Sequence, residues 1–381
     1  MSENYELQLI TPSFDSSLTD LILELDHLRK RRLEGTTMPH FFFQLKRIFH
    51  TLESVGSARI EGNNTTVAEY IETKIGNEKN FSPNILEIKN VEGAMNFIDE
   101  VSKEYPINKT FINQIHQKVV ENLSPSDEGD RTPGEYRKSN VKINNAKHTP
   151  PDFIRVEEYM NELFEFINSE TPAKYDLLKT AIAHHRFVWI HPYTNGNGRT
   201  VRLFTYAMLV KQGFNLAQGR IINPTAIFCS DRDKYYENLS KADTGNVKNI
   251  LHWCEYVLSG LKNEIEKIDK LLDYNYLKKE ILIPAINYSL ERKSITDVET
   301  KILKKSLDCK NHLIQAADIK EIFPDVTPQS ISRYIKNLIT KGMLKSPNNS
   351  PRKYFIKFNN NFLLRGVMKS LVENGFLSEK L

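Results

Sequence analysis

The sequence predicts an all-α protein: a helical body with one small β-hairpin, then a C-terminal module of three short helices and two strands. Three observations carry that expectation. Apolar residues recur at helical spacing through most of the chain up to Leu272. In that region a single stretch, Tyr136 to Ile143, reads as extended. Beyond about Lys293 the charge and the texture change together.

The elements follow in order. Leu18, Leu21, Ile22, Leu25 and Leu28 make an amphipathic helix with a basic end at Arg29–Arg32. A second helix, about Phe41 to Val55, puts Phe42, Leu45, Ile48, Phe49 and Leu52 on one face. After Gly56, the run Ser57-Ala58-Arg59-Ile60-Glu61-Gly62-Asn63 reads as a short turn with a carboxylate before a glycine. Helices are expected from Pro83 to Lys103, Lys109 to Asn122, Val156 to Ser169, Tyr175 to Trp189, Arg199 to Lys211, Asp233 to Ala242 and Asn246 to Leu272. Asn144-Asn145-Ala146-Lys147 has turn composition, and Thr149-Pro150-Pro151 prevents regular structure. Asp297 to Leu307, Ile314 to Phe323 and Thr327 to Lys341 read as the three short helices, the last with Thr327 as N-cap and Pro328 behind it. Leu344 to Phe358 reads as two strands around Pro347-Asn348-Asn349-Ser350-Pro351-Arg352.

Composition narrows the class. With 381 residues, 40% hydrophobic and 26% charged, the chain can bury a real core in roughly two to three domains. No apolar run approaches the roughly 18–20 residues of a membrane span, so no membrane partner is expected. Ser2 to Ser17 lacks the basic and apolar regions of a signal peptide. The three cysteines, Cys229, Cys254 and Cys309, form no metal-ligand spacing and no disulfide framework. A reducing, cytoplasmic setting is the expectation. Net charge is +4, but Glu299 to Phe358 carries 12 Lys/Arg against 5 Asp/Glu, a net +7, which leaves the remainder at −3.

The chemistry concentrates in His191-Pro192-Tyr193-Thr194-Asn195-Gly196-Asn197-Gly198-Arg199-Thr200-Val201-Arg202. One helix ends before His191, a glycine-flanked turn follows, and a second helix begins directly after it. Gly196 and Gly198 let successive N–H groups face one spot, and the new helix adds its unpaired N–H donors and positive end. Arg199 and Arg202, three apart, share that end. Together they make an anion site sized for more than one phosphate. His191 beside it is the side chain best tuned to take a proton near neutral pH. A base next to a polyphosphate cradle implies transfer of a phosphorus-centred group onto a hydroxyl.

This pattern resembles the Fic (filamentation induced by cyclic AMP) family, whose signature is HPFx(D/E)GNGRxxR after a helix ending HxxFxxIHPF; here that helix reads His184-His185-Arg186-Phe187-Val188-Trp189-Ile190. The resemblance covers roughly Ser54 to Leu261. It implies a helical Fic bundle that transfers AMP from ATP to a Ser, Thr or Tyr hydroxyl of a target protein, or of itself, and releases pyrophosphate. It also implies Mg²⁺, and a homodimer as a candidate assembly. By resemblance His191 is the general base, Gly196, Asn197 and Gly198 form the anion hole, Arg199 binds phosphate oxygens, and Arg202 reaches the γ-phosphate. Tyr193 replaces the usual Phe. Asn195 replaces the acidic metal ligand; its amide oxygen can ligate Mg²⁺ but brings no charge, so weaker metal binding or altered turnover is expected.

Three flanking stretches extend the resemblance. Gly134-Glu135-Tyr136-Arg137 through Val141 and Ile143 resembles the flap, a hairpin that holds an extended target segment by strand addition. Ser57-Ala58-Arg59-Ile60-Glu61-Gly62 matches the inhibitory pattern (S/T)xxxE(G/N), in which Glu61 would pair with Arg202 and take the γ-phosphate position. Asp233-Lys234-Tyr235-Tyr236 and Ala242-Asp243 resemble the nucleoside-binding helix, with Tyr236 lining the adenine pocket and Asp243 standing where an asparagine often meets the base. The resemblance divides the chain into an N-terminal helical region carrying the inhibitory motif (1–80), a catalytic domain (81–275) and a linker helix with a winged helix (276–381). In that last module Gln329, Ser330, Arg333 and Lys336 would meet a groove, with Arg352 and Lys353 on phosphates, so DNA is a candidate partner. The alternatives remain a DNA-binding regulator with a degenerate site, a Fic enzyme with another nucleotide donor, and the same site removing AMP.

Overall fold

The computed structural model describes residues 6–30, 36–76, 80–101, 104–143, 146–214, 224–229, 231–347, 350 and 352–376. Arg31, Arg32, Lys103, Asn144, Asn145, Asn348, Asn349 and Pro351, which enter the helix ends and turns expected above, lie outside them. The chain divides into two compact units: residues 1–33, 50–70 and 78–266, and residues 34–49, 71–77 and 267–381. This differs from the division expected from sequence, because two pieces of the first 80 residues group with the C-terminal part.

The fold is predominantly helical with one small two-stranded sheet. Its helices are α1 (Ser17–Lys30), α2 (Pro39–Ile60), α3 (Val67–Ile75), α4 (Pro83–Val101), α5 (Lys109–Val119), α6 (Val156–Asn168), α7 (Asp176–Ile190), α8 (Asn197–Lys211), α9 (Pro224–Cys229), α10 (Arg232–Ala242) and α11 (Val247–Asp269). After Leu272 come α12 (Tyr274–Tyr276), a π-helical turn Leu277–Leu282, α13 (Ile283–Glu291), α14 (Asp297–Asp308), α15 (Ala316–Ile322) and α16 (Pro328–Thr340). The strands β1 (Leu344–Lys345) and β2 (Phe355–Ile356) precede α17 (Leu364–Glu373).

In the first unit one apolar core is shared by Leu25 of α1, Met95 of α4, Ile112 and Ile115 of α5, Leu163 of α6, Phe187 of α7, Phe204 of α8 and Trp253 of α11. Burying such side chains contributes about 1.5–3 kcal/mol each relative to exposure. α7 and α8 are buried around almost their whole circumference, since they lie at the centre of this core. Local signals set several starts. Asn108 caps α5 by accepting the Phe111 N–H at 3.0 Å, and Asp231 caps α10 by accepting that of Lys234 at 2.9 Å.

In the second unit Thr296 and Glu299 form a capping box on α14, and Thr327 caps α16 with Pro328 behind it. Leu344 pairs with Ile356 and Lys345 with Phe355, antiparallel, and a separate bridge joins Ile314 to Tyr354. Gln44 seals this ladder: its Nε2 donates to the Ile356 carbonyl at 3.1 Å and its Oε1 accepts the Phe358 N–H at 2.7 Å.

Two expectations change. The helix expected to stop near Val55 runs on to Ile60, because Gly56 lies inside a segment whose neighbours Ser54, Ser57 and Ala58 are fully buried. The turn begins only at Glu61, where Gly62 takes φ +108°. The hairpin expected over Tyr136–Ile143 carries no strand among the described residues. The stretch is held by side chains rather than by a ladder, chiefly by Arg137.

Candidate active site

The anion loop is built from the ends of two core helices. α7 closes at His191, which adopts the left-handed conformation at φ 52°. α8 starts at Gly196, also left-handed at φ 73°. A Cβ at Gly196 would come within 2.9 Å of Val120 Cγ1, so only glycine fits. Asn197 closes the loop: its Oδ1 accepts the Tyr193 N–H and its Nδ2 donates to the Tyr193 carbonyl, both at 2.9 Å. Its side chain is thus spent inside the loop, and only its backbone can serve a ligand. Tyr193 is buried, with its hydroxyl on Asn113 at 2.8 Å.

His116 of α5 holds the loop from beneath and was not singled out from sequence. Its Nδ1 accepts the Gly134 N–H at 2.9 Å, which makes Nε2 the donor to the Asn195 carbonyl at 3.0 Å. Its ring stacks on Tyr193 at 3.7 Å and 2°. Burial pushes its pKa down to about 4, so it stays neutral in this role.

His191 lies between the helix end and the anion loop. Burial, with the Arg137 guanidinium adding to it, pushes its pKa down to about 4, while Glu61 pulls the other way. The imidazole is therefore unprotonated at neutral pH, as a base must be. Arg137 was expected on a target-binding flap, but it is 3% exposed. Its Nε donates to the His191 carbonyl at 2.9 Å, Nη1 to Ser139 at 3.1 Å, and Nη2 to Pro151 at 2.5 Å and Ile190 at 3.4 Å. Its own N–H reaches the Pro192 carbonyl at 2.8 Å. It is a positioning residue that caps the end of α7. Tyr136, Val141 and Ile143 are half-buried beside it.

Both motif arginines are buried and already ion-paired. Arg202 Nη2 meets Glu61 Oε1 at 2.7 Å, and Ser57 takes the rest through its hydroxyl at 2.8 Å and carbonyl at 2.9 Å. Burial works against the Glu61 charge, but Arg202 and Arg199 together hold its carboxyl below the usual range. Glu61 also lies on the anion loop itself: a Cβ at Gly198 would come within 2.1 Å of its Oε1. Arg199 meets Glu87 at 2.9 Å and Glu128 at 2.7 Å. Burial pushes Glu87 up to about 7 against the pull of Arg199. Asn63 anchors the turn after Glu61 by donating to Glu87 Oε2 at 2.7 Å. Glu87 and Glu128 had no sequence signal beyond being polar; only the fold brings them to Arg199.

The remaining predicted residues divide. Tyr236 is 41% exposed at the rim, with Arg232 over its ring at 5.6 Å; its phenol is raised by burial and by Glu61, which puts it within electrostatic reach of the same centre. Asp243 is instead bonded to His185 Nε2 at 3.0 Å. Asn195 is folded onto its own surroundings: Oδ1 accepts the Gly196 N–H at 2.7 Å and Nδ2 donates to the Asp127 carbonyl at 2.9 Å. Among the described residues no group of three His, Cys, Asp or Glu could hold a metal ion. The amide as placed does not fit a Mg²⁺ ligand.

Comparison with known proteins agrees with this geometry. Residues 106–209 match the Fic/DOC family. The chain is 29% identical over 276 residues to the protein adenylyltransferase Fic of Aedes aegypti, covering 65% of this chain and 51% of that protein. It is 29% identical over 203 residues to the protein adenylyltransferase Fic of Nematostella vectensis, covering 52% and 44%. The chain thus spans about half the length of the curated relatives it matches. The crystal structure of a Fic family protein from Desulfovibrio desulfuricans G20 shares the fold over 92% of this chain and 97% of that one, with a TM-score of 0.56 at 16% identity. The segment that builds the anion loop, residues 106–209, is thus the part that matches the Fic/DOC family, and the chain is similar to known protein adenylyltransferases.

Proposed function

We propose that the protein is an adenylyltransferase that moves AMP from ATP to a Ser, Thr or Tyr hydroxyl of a target protein and is held in check by Glu61. One observation carries the reading: a neutral His191 borders an anion loop whose second arginine, Arg202, is occupied by Glu61 at 2.7 Å. In the step proposed, His191 takes the hydroxyl proton and the hydroxyl oxygen bonds to the α-phosphorus. The bond from that phosphorus to the bridging oxygen breaks, and pyrophosphate leaves. Backbone N–H groups at the start of α8 and the guanidinium of Arg199 offset the charge that develops. Glu61 excludes the productive pose by neutralising the arginine the terminal phosphate needs. Mg²⁺, when bound in enzymes of this chemistry, offsets phosphate charge. Labelled-ATP transfer tests the reading with wild type, Glu61→Gly and Glu61→Gly/His191→Ala. Label must rise in the first variant and vanish in the second; no rise, on the protein itself or on lysate proteins, rejects the inhibitory role.

A second reading concerns the C-terminal unit. The order α14, Ile314 bridge, α15, α16, β1 and β2 supports a winged helix, and α16 leaves Gln329, Arg333 and Lys336 exposed. Under this reading that face contacts DNA phosphates, as the net +7 favours. An Arg333→Ala/Lys336→Ala variant would then lose salt-sensitive DNA retention; equal retention rejects it.

A further inference from the structure

We propose that Glu128 is a second, exchangeable carboxylate, seated on Arg199 in the place of a phosphate group, which an incoming nucleotide must displace independently of Glu61. The proposal rests on the nucleotide reading above.

Arg199 is buried and lies between two carboxylates that differ in kind. Glu87, on α4, is 2% exposed, and its second oxygen is fixed by Asn63 at 2.7 Å. It can only be a permanent clamp behind the guanidinium. Glu128 is 33% exposed in its side chain and sits in a tight turn, with its Oε2 on Arg199 Nη2 at 2.7 Å. The same Nη2 reaches the Glu128 carbonyl at 3.0 Å.

The turn is built to put Glu128 there. The Asp127 and Gly129 N–H groups both close onto the Ser124 carbonyl, at 3.0 and 2.9 Å. A Cβ at Gly129 would come within 2.2 Å of the Leu123 carbonyl oxygen, so the turn tolerates no side chain at that position. It is also stitched to the anion loop, since Asn195 donates to the Asp127 carbonyl at 2.9 Å and its N–H to Asp130 Oδ2 at 3.2 Å. The Glu128 charge is opposed by burial and by Glu61 and Asp127, with Arg199 alone drawing it. A phosphate on Arg199 keeps the charge-assisted bond and releases Glu128 to water. Each motif arginine thus carries its own acidic stand-in, Glu61 on Arg202 and Glu128 on Arg199.

Calorimetric titration of the full chain with a non-hydrolysable ATP analogue tests this, in the wild-type and Glu61→Gly backgrounds. Glu128→Gln keeps the side chain's shape and removes its charge. It should tighten binding by about two- to five-fold in both backgrounds, the upper range of a partly exposed ion pair. Glu128→Ser must shift affinity in the same direction. The gain must vanish when Arg199→Ala is added, which a general loosening of the turn would not produce. Equal or weaker binding by Glu128→Gln, while its Glu61→Gly parent binds, overturns the proposal and leaves the nucleotide reading intact. No binding by any variant overturns both.

Discussion

Replacing Glu61 by alanine removes the carboxylate on Arg202 but leaves a guanidinium that is 1% exposed. Breaking a buried ion pair from one side costs about 3–5 kcal/mol, because the remaining charge stays buried. The cost here falls lower, since Glu61 is 24% exposed in its side chain and Ser57 keeps two acceptors on Arg202, at 2.8 and 2.9 Å. The expected loss is about 2–3 kcal/mol, or roughly 5–10 °C in melting temperature for a unit of this size. A polyphosphate ligand should return it, because a phosphate supplies the missing anion; at a hundred times its Kd a ligand adds about 2.7 kcal/mol.

The test is thermal melting of wild type and Glu61→Ala with and without the ATP analogue. The variant should melt lower without ligand and gain more from it than wild type. The pH dependence has a definite sign. The Glu61 carboxyl lies below its ordinary 4.5 in the fold, so the pair's contribution is present above that value and lost as pH falls through the folded pKa. The gap between the two proteins should therefore close in acid. Equal melting temperatures at neutral pH without ligand would refute the reasoning, because Arg202 would then not depend on Glu61.

Three further outcomes are expected. His191 is neutral above about 4, so transfer by Glu61→Gly should be nearly flat from about pH 6 to 8, with its acid limb well below the ordinary histidine value of about 6.5; a limb at that ordinary value counts against His191 as the base. Glu87 is raised from 4.5 to about 7 in the fold, so its contribution is full below about 4.5 and lost as pH rises through 7. The stability difference between Glu87→Gln, which mimics the neutral form, and wild type should therefore shift in the variant's favour as pH rises between those limits in urea denaturation. Arg137→Lys cannot reproduce a fork that meets four carbonyls, and should cost about 2–3 kcal/mol in the same assay while slowing transfer through the misplaced His191 loop.

What could be read from the sequence was what is local. The His191–Arg202 stretch builds its loop from its own residues: a helix end, two glycines and a new helix start, each with a residue preference that survives any context. The amphipathic helices were legible for the same reason, since their period records which face is buried. Glycine at position 56 misled because propensity is weak beside burial on every side; α2 passes through it to place Ser57 and Glu61 one turn apart under Arg202. Arg137 misled in the opposite sense. An alternating, partly charged stretch reads as a surface strand, yet its arginine turns inward to satisfy carbonyls at the end of α7, contacts more than fifty residues away in sequence. Glu87, Glu128 and His116 are the furthest from legibility, since each sits at an unremarkable helical or turn position and acquires its role only when α4, α5 and the 124–130 turn converge on α8. The motif therefore points to the proposed chemistry, and the Glu61 pattern to one of its acidic partners, whereas Glu87 and Glu128, which meet Arg199, come from segments carrying no motif of their own. A search for regulation in such a chain should begin with the side chains already bonded to the two motif arginines.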